Sequence, residues 1–82
     1  MIVIPVDLIN EINNELVMAE DEHPHWPTDV VHAGAIVSEK AGELIQACLQ
    51  YHYEEQTIDL ARVEAVQTAA MAIRFLKNLE AV

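Results

Sequence analysis

The chain has 82 residues, which limits it to a single domain with a modest core. Fourteen acidic residues against four basic ones give a net charge of −10, which argues against binding of a nucleic-acid polymer through a basic surface. The charge is compatible with divalent cations as partners, and the alternative for most of the acids is a role in solubility. Hydrophobic residues make up 52% of this short chain, so part of its apolar surface is expected to face another copy.

The N-terminal residues and the cysteine content indicate which cellular compartment to expect for the chain. The opening MIVIPVDLI has no basic residue and is too short for a signal peptide, and the chain lacks the run of roughly 18 apolar residues that spans a bilayer. Cys48 is the single cysteine and cannot form an internal disulfide, which suits a reducing compartment. We therefore expect a cytoplasmic protein without a membrane segment.

The first predicted element is a helix over residues 1–22, with Asp7 as its cap. It carries an apolar stripe at helical spacing and ends in the acidic run 20–22. The stripe consists of Leu8, Ile12, Leu16 and Ala19. Prolines then break the pattern in a loop over 23–28, where Trp26 is interpreted as a lid over the helix ends, with stacking on a base as the alternative.

The second and third helices are predicted over 29–54 and 58–80. Thr28 or Asp29 is expected to cap the second helix and Thr57 or Asp59 the third. Gly34 and Gly42 lie inside the second helix, where they are expected to allow close approach of a neighbouring helix.

The third helix is apolar around most of its circumference, which indicates that it is buried on more than one side. The two other helices of one chain hardly suffice to bury the third helix on more than one side. The prediction is therefore an all-α fold of one domain, 1–82, in which the second and third helices form a long antiparallel hairpin that assembles into an oligomeric bundle, as a dimer or a tetramer.

Polar stripes on these two helices are the candidate site. Residues three and four apart share a helix face. One stripe contains His32, Glu39, Glu43, Gln46 and Gln50, and the other contains Glu64, Gln67, Arg74 and Asn78. If the stripes face each other, Glu39, Glu43, Glu64 and Gln67 converge, and a divalent cation such as Mg²⁺ relieves their repulsion. The alternative is a solvated face with a weak pair between Lys40 and Glu43.

Other chemistry has less support in the sequence. A zinc site would have to use His23, His25, His32 or His52, but no cysteine lies close to them. Cys48 lacks a basic neighbour at helical spacing that would lower its pKa for nucleophilic catalysis. Arg74 is open to two interpretations, a structural pair with one of the acids or a contact to phosphate.

The segment from about Trp26 to Leu79 resembles the MazG-like all-α nucleoside triphosphate pyrophosphohydrolase superfamily. The residues that carry the resemblance are Glu39-Lys40-Ala41-Gly42-Glu43-Leu44 with Ala47, and Glu64-Ala65-Val66-Gln67 on the next helix. Members show Glu-Glu-x-Gly-Glu-Leu on one helix and Glu-x-x-Asp on the next. Two positions depart from that pattern, because Lys40 stands at the second glutamate and Gln67 at the aspartate.

The resemblance implies binding of Mg²⁺, or Mn²⁺, and hydrolysis of nucleoside triphosphates to monophosphate and pyrophosphate. Glu39, Glu43, Glu64 and Gln67 would be the metal ligands, and Glu39 would also activate water. Lys40 and Arg74 would offset phosphate charge. Because two expected ligands have lost their charge, catalysis with two metals is not expected, and the alternative is a non-catalytic oligomer on the same scaffold with a degenerate metal site.

Overall fold

A computed structural model describes Met1 and residues 3–79, and all regular secondary structure in these residues is helical. The elements are α1 (Val6–Glu22), α2 (Val30–Tyr53) and α3 (Ile58–Asn78). The prediction of an all-α chain with three helices is thereby confirmed. Residue 2 and residues 80–82, which belong to the predicted range 1–82, lie outside the described residues.

The helix starts follow local chemistry. Asp29 caps α2, since its Oδ1 accepts a hydrogen bond of 2.9 Å from the backbone N–H of Val31. The prediction of Asp7 as the α1 cap is wrong, because α1 begins directly after Pro5. Asp7 lies instead in the first turn, where its negative charge is favourable at the positive end of the helix dipole. Thr57 precedes α3 and makes no capping hydrogen bond through its side chain.

The connection between α2 and α3 is short. Glu54 closes α2 by donating its backbone N–H to the carbonyl of Gln50 at 2.9 Å. Glu55 then adopts a φ of 58°, the left-handed conformation that reverses the chain direction after many helices. This conformation is unusual for a residue with a side chain.

Helix α3 is central, because it packs against both α1 and α2, which scarcely touch each other. The buried cluster contains Leu16 from α1 with Ala70 and Met71 from α3, and Ala70 is fully buried. Partly buried side chains from α1, the loop and α2 complete this cluster, namely Ile12, Ala19, Trp26, Ile36 and Val37. The core of one chain is thus small, and further buried side chains lie along α2 and α3, namely Ala33, Ala47, Ala61 and Val66.

Two exposed ion pairs also join α1 to α3. Lys77 contacts Glu20 at 2.9 Å, and Arg62 contacts Glu11. Exposed pairs of this kind contribute little to stability. The attachment of α1 therefore depends mainly on the buried cluster.

One side of α2 has no partner among the described residues. This apolar face is uncharged, and Val31, Ile45 and Leu49 on it are 76%, 57% and 50% exposed. Its members, which follow helical spacing, are Val31, Ser38, Ala41, Ile45 and Leu49. A Cβ added at Gly34 or Gly42 would meet no atom within 4 Å, so the expectation of close helix approach at the glycines is wrong within one chain.

None of the helices in the described part of the chain has the length and hydropathy needed to cross a membrane.

Candidate functional site

Four polar side chains from α2 and α3 meet beside the core. We call them the Lys40 cluster: Lys40, Glu43, Glu64 and Gln67. The ammonium Nζ of Lys40 lies 3.2 Å from Oε2 of Glu43 and donates a hydrogen bond of 3.3 Å to Oε1 of Gln67. The residues that carry the family resemblance on two separate helices are therefore spatial neighbours.

Glu64 is the least satisfied member of the Lys40 cluster. Its Oε2 is buried and has no hydrogen-bond partner among the described residues. Burial raises the pKa of Glu64 above its ordinary value, and the negative charge of Glu43 raises this pKa further. The positive charge of Lys40 acts in the opposite direction. The cluster thus contains two carboxylates that repel each other, with one lysine partly compensating.

Glu39 does not join the Lys40 cluster. Its side chain is exposed, so the expectation that Glu39 and Glu43 both point inward is wrong for Glu39. Successive helical residues are rotated by about 100°, so Glu39 lies about 40° from Glu43 on the side away from Lys40. The side of α2 that carries Lys40 and Glu43 faces α3. Glu39 lies next to Glu43 on the side that faces solvent.

Arg74 has a different environment from the one the sequence suggested. It is only 4% exposed, and it makes no pair with Glu39, Glu43 or Glu64 among the described contacts. Its guanidinium donates to the backbone carbonyls at the end of α1 and in the following loop, namely those of Ala19, His23 and His25. The guanidinium carbon also lies 4.9 Å from the centre of the Trp26 ring. Nη1 and Nη2 make these contacts, whereas Nε is buried without a hydrogen-bond partner among the described residues. Arg74 thus positions the loop, and Trp26 packs against the core cluster.

A cavity of about 340 Å³ adjoins the Lys40 cluster. It lies between the end of α1, the loop, α2 and α3, and its lining includes Lys40, Gln67, Trp26, Met71 and Arg74. Seven of its twelve lining residues are polar or charged, and two of these are glutamates on α1. The volume is at the lower end of the range for small-molecule sites.

Sequence reasoning missed the contribution of α1 to this cavity. Glu15, Met18, Ala19 and Glu22 line it, and they follow the spacing that places residues on one helix face. The signal was present in the sequence, but the family resemblance covered only the segment from Trp26 onward.

Glu43, Glu64 and Gln67 offer oxygen atoms of the kind that a hard divalent cation takes as ligands. Glu43 and Glu64 offer carboxylate oxygens, one of which is buried without a partner, and Gln67 offers an amide carbonyl. Mg²⁺ commonly uses one or two carboxylates and retains water. Within Met1 and residues 3–79, no group of three or more His, Cys, Asp or Glu side chains is arranged to hold a metal, so a cation here would have two carboxylates and one amide oxygen at most.

The chain matches no protein-family model, no curated protein and no solved structure. The resemblance to the MazG-like superfamily thus depends on the residues named above.

Proposed function

We propose that the chain is a MazG-like nucleotide-binding protein that takes a nucleoside triphosphate with one Mg²⁺ or Mn²⁺ and hydrolyses it to monophosphate and pyrophosphate. One observation carries the proposal. Glu43 on α2 and Glu64 and Gln67 on α3, which match the family motif or stand at its positions, share one cluster beside a cavity.

The proposal gives each residue a separate task. Glu43, Glu64 and Gln67 hold the cation, which when bound neutralises charge on the phosphates. Lys40 donates hydrogen bonds to a phosphate oxygen from the wall of the cavity. Glu39, one helical turn before Glu43 and exposed, accepts a proton from the attacking water on the solvent side. Arg74 keeps the Trp26 loop in position at the cavity.

A second candidate function is favoured by one observation. Lys40 already contacts both Glu43 and Gln67, so a positive charge stands among the groups that would bind the cation. A chain that keeps this arrangement permanently is a non-catalytic helical oligomer with a degenerate metal site. It would act through its surface.

We further propose that α2 and α3 form an antiparallel hairpin. The neighbours of α2 along α3 support this arrangement, because their order runs in reverse. Gly34 and Val37 share a groove with Ala72 and Leu76, whereas Lys40 contacts Gln67, earlier in α3.

The hairpin is proposed to pair with a second copy through the apolar face of α2. In a chain of net charge −10, two copies repel each other least when they meet at a surface without carboxylates, and this face has none. The small core of one chain supports the same conclusion, because no large side chain among the described residues is less than 2% exposed. We place the assembly in the cytoplasm, where the free Cys48 thiol stays reduced.

The deciding experiment measures pyrophosphate release from canonical and damaged nucleoside triphosphates with Mg²⁺ or Mn²⁺. Release that requires the cation and is lost in Glu64→Gln supports hydrolysis. If the parent binds neither cation nor nucleotide and releases no pyrophosphate from any substrate, the first function is excluded in favour of the second.

A further inference from the structure

Lys40 occupies an unusual position for a lysine on a helix of an acidic protein. Its ammonium is shared between a carboxylate on its own helix and an amide carbonyl on α3, at 3.2 Å and 3.3 Å. The Lys40–Glu43 contact alone is a half-exposed pair with i,i+3 spacing, which contributes little. The contact to Gln67 is different, because it joins two helices.

The oxygen atoms around Lys40 are the same ones that a divalent cation would use. Glu43 and Gln67 contact the ammonium directly. Glu64 has a buried oxygen without a partner among the described residues, and the positive charge of Lys40 acts to lower its pKa. Two carboxylates between packed helices are unfavourable without a compensating positive charge. Lys40 is the cationic side chain that meets this need within the described cluster.

We infer that Lys40 is a built-in counter-cation: it supplies from within the chain the charge that a divalent ion would supply to Glu43, Glu64 and Gln67. The Lys40 cluster is then held together without metal, and a divalent cation binds only when it displaces the lysine from Glu43 and Gln67. The displaced ammonium remains on the wall of the cavity, where it can bind an anionic ligand. The displacement step rests on the proposed function, whereas the stabilising role of Lys40 does not.

The first test is thermal melting in EDTA at fixed protein concentration. Lys40→Met should melt roughly 4–8 °C below the parent, the range that corresponds to a modest loss of stability in a domain of this size. Lys77→Met is the matched control, because it removes a lysine from an exposed ion pair that joins two helices elsewhere. Equal melting temperatures of the two variants would overturn the inference.

A second variant separates charge compensation from simple loss of packing. In the Lys40→Met background, Glu43→Gln removes one of the repelling carboxylates. The double variant should therefore melt above Lys40→Met, and Lys40→Arg should stay near the parent. If Glu43→Gln lowers the melting temperature further, Lys40 does not act through charge. If Lys40→Met does not fold, recovery of folding in the double variant also shows that Lys40 acts through its charge.

Calorimetric titration with MgCl₂ tests displacement. Loss of a competing positive charge should tighten Mg²⁺ binding to Lys40→Met by about tenfold or more, with Lys77→Met equal to the parent. Equal affinity in all three chains would overturn displacement while leaving the cation of the proposed function intact. Absence of binding to every chain would instead refute that cation, and the EDTA melting result would stand independently.

Discussion

The guanidinium of Arg74 lies against the Trp26 ring, 4.9 Å from its centre, and donates to the carbonyl of His23 at the end of α1. One side chain of α3 thus fixes both the end of α1 and the loop that leads to α2. Of the carbonyls that Arg74 contacts, that of Ala19 also accepts the backbone N–H of His23, whereas those of His23 and His25 lie beyond the last residue of α1.

Arg74→Met should lower the free energy of unfolding by about 2–4 kcal/mol, because it leaves several carbonyls without a charged donor and removes the contact with Trp26. Arg62→Met is the control, since Arg62 is exposed and pairs only with Glu11 among the described contacts. Urea unfolding followed by circular dichroism measures both. Similar losses in the two variants would show that Arg74 does not hold the loop.

Assembly should depend on the apolar face of α2. Light scattering of the parent is expected to give a multiple of the 9.2 kDa chain mass at micromolar concentration. Ile45→Glu places a charge on this face and should dissociate the assembly, whereas Gln46→Glu, on the exposed polar side of the same helix, should not. A parent of 9.2 kDa, or dissociation by Gln46→Glu alone, would contradict the proposed interface.

Divalent cations should stabilise the fold if the Lys40 cluster binds them. An ion that binds only the native state raises stability by about 2.7 kcal/mol at ~100 times its Kd. Melting with millimolar Mg²⁺ or Mn²⁺ measures this effect, which Glu64→Gln should abolish. Glu54→Gln removes an equal charge from an exposed position after α2 and should retain the effect. An unchanged parent melting curve would favour the non-catalytic alternative.

Restoring carboxylates should have two effects of opposite sign. Lys40→Glu with Gln67→Asp gathers four acids in the cluster, which should strengthen Mg²⁺ binding and lower the melting temperature in EDTA, since like charges repel. Calorimetric titration and melting with and without EDTA measure the two effects. A double variant that binds Mg²⁺ no better than the parent would show that these positions do not form one cation site.

The helices were predictable from local chemistry, whereas several side-chain roles were not. Periodicity, prolines and the Asp29 cap located α1, α2 and α3, because these signals act within a few residues. The contacts of Arg74 differ most from those that the sequence suggested. Its polar neighbours along α3 suggested acidic partners, but packing brings it to the end of α1, which no local pattern encodes. Glu39 was predicted to face α3 because it shares a helix face with Glu43 at i,i+4 spacing. That spacing does not show which of the two residues lies nearer to the neighbouring helix.

The central position of α3 has a consequence for how the molecule opens. Detaching α1 breaks one helix–helix interface, whereas detaching α3 breaks two, since α1 and α2 scarcely touch. Backbone amides of α1 should therefore exchange with solvent deuterium through a partial opening that leaves α2 and α3 together. Amides around the fully buried Ala70 should exchange only when the whole domain unfolds. Local opening of α1 also removes one wall of the cavity, so the partial unfolding of this helix exposes the other lining residues to solvent.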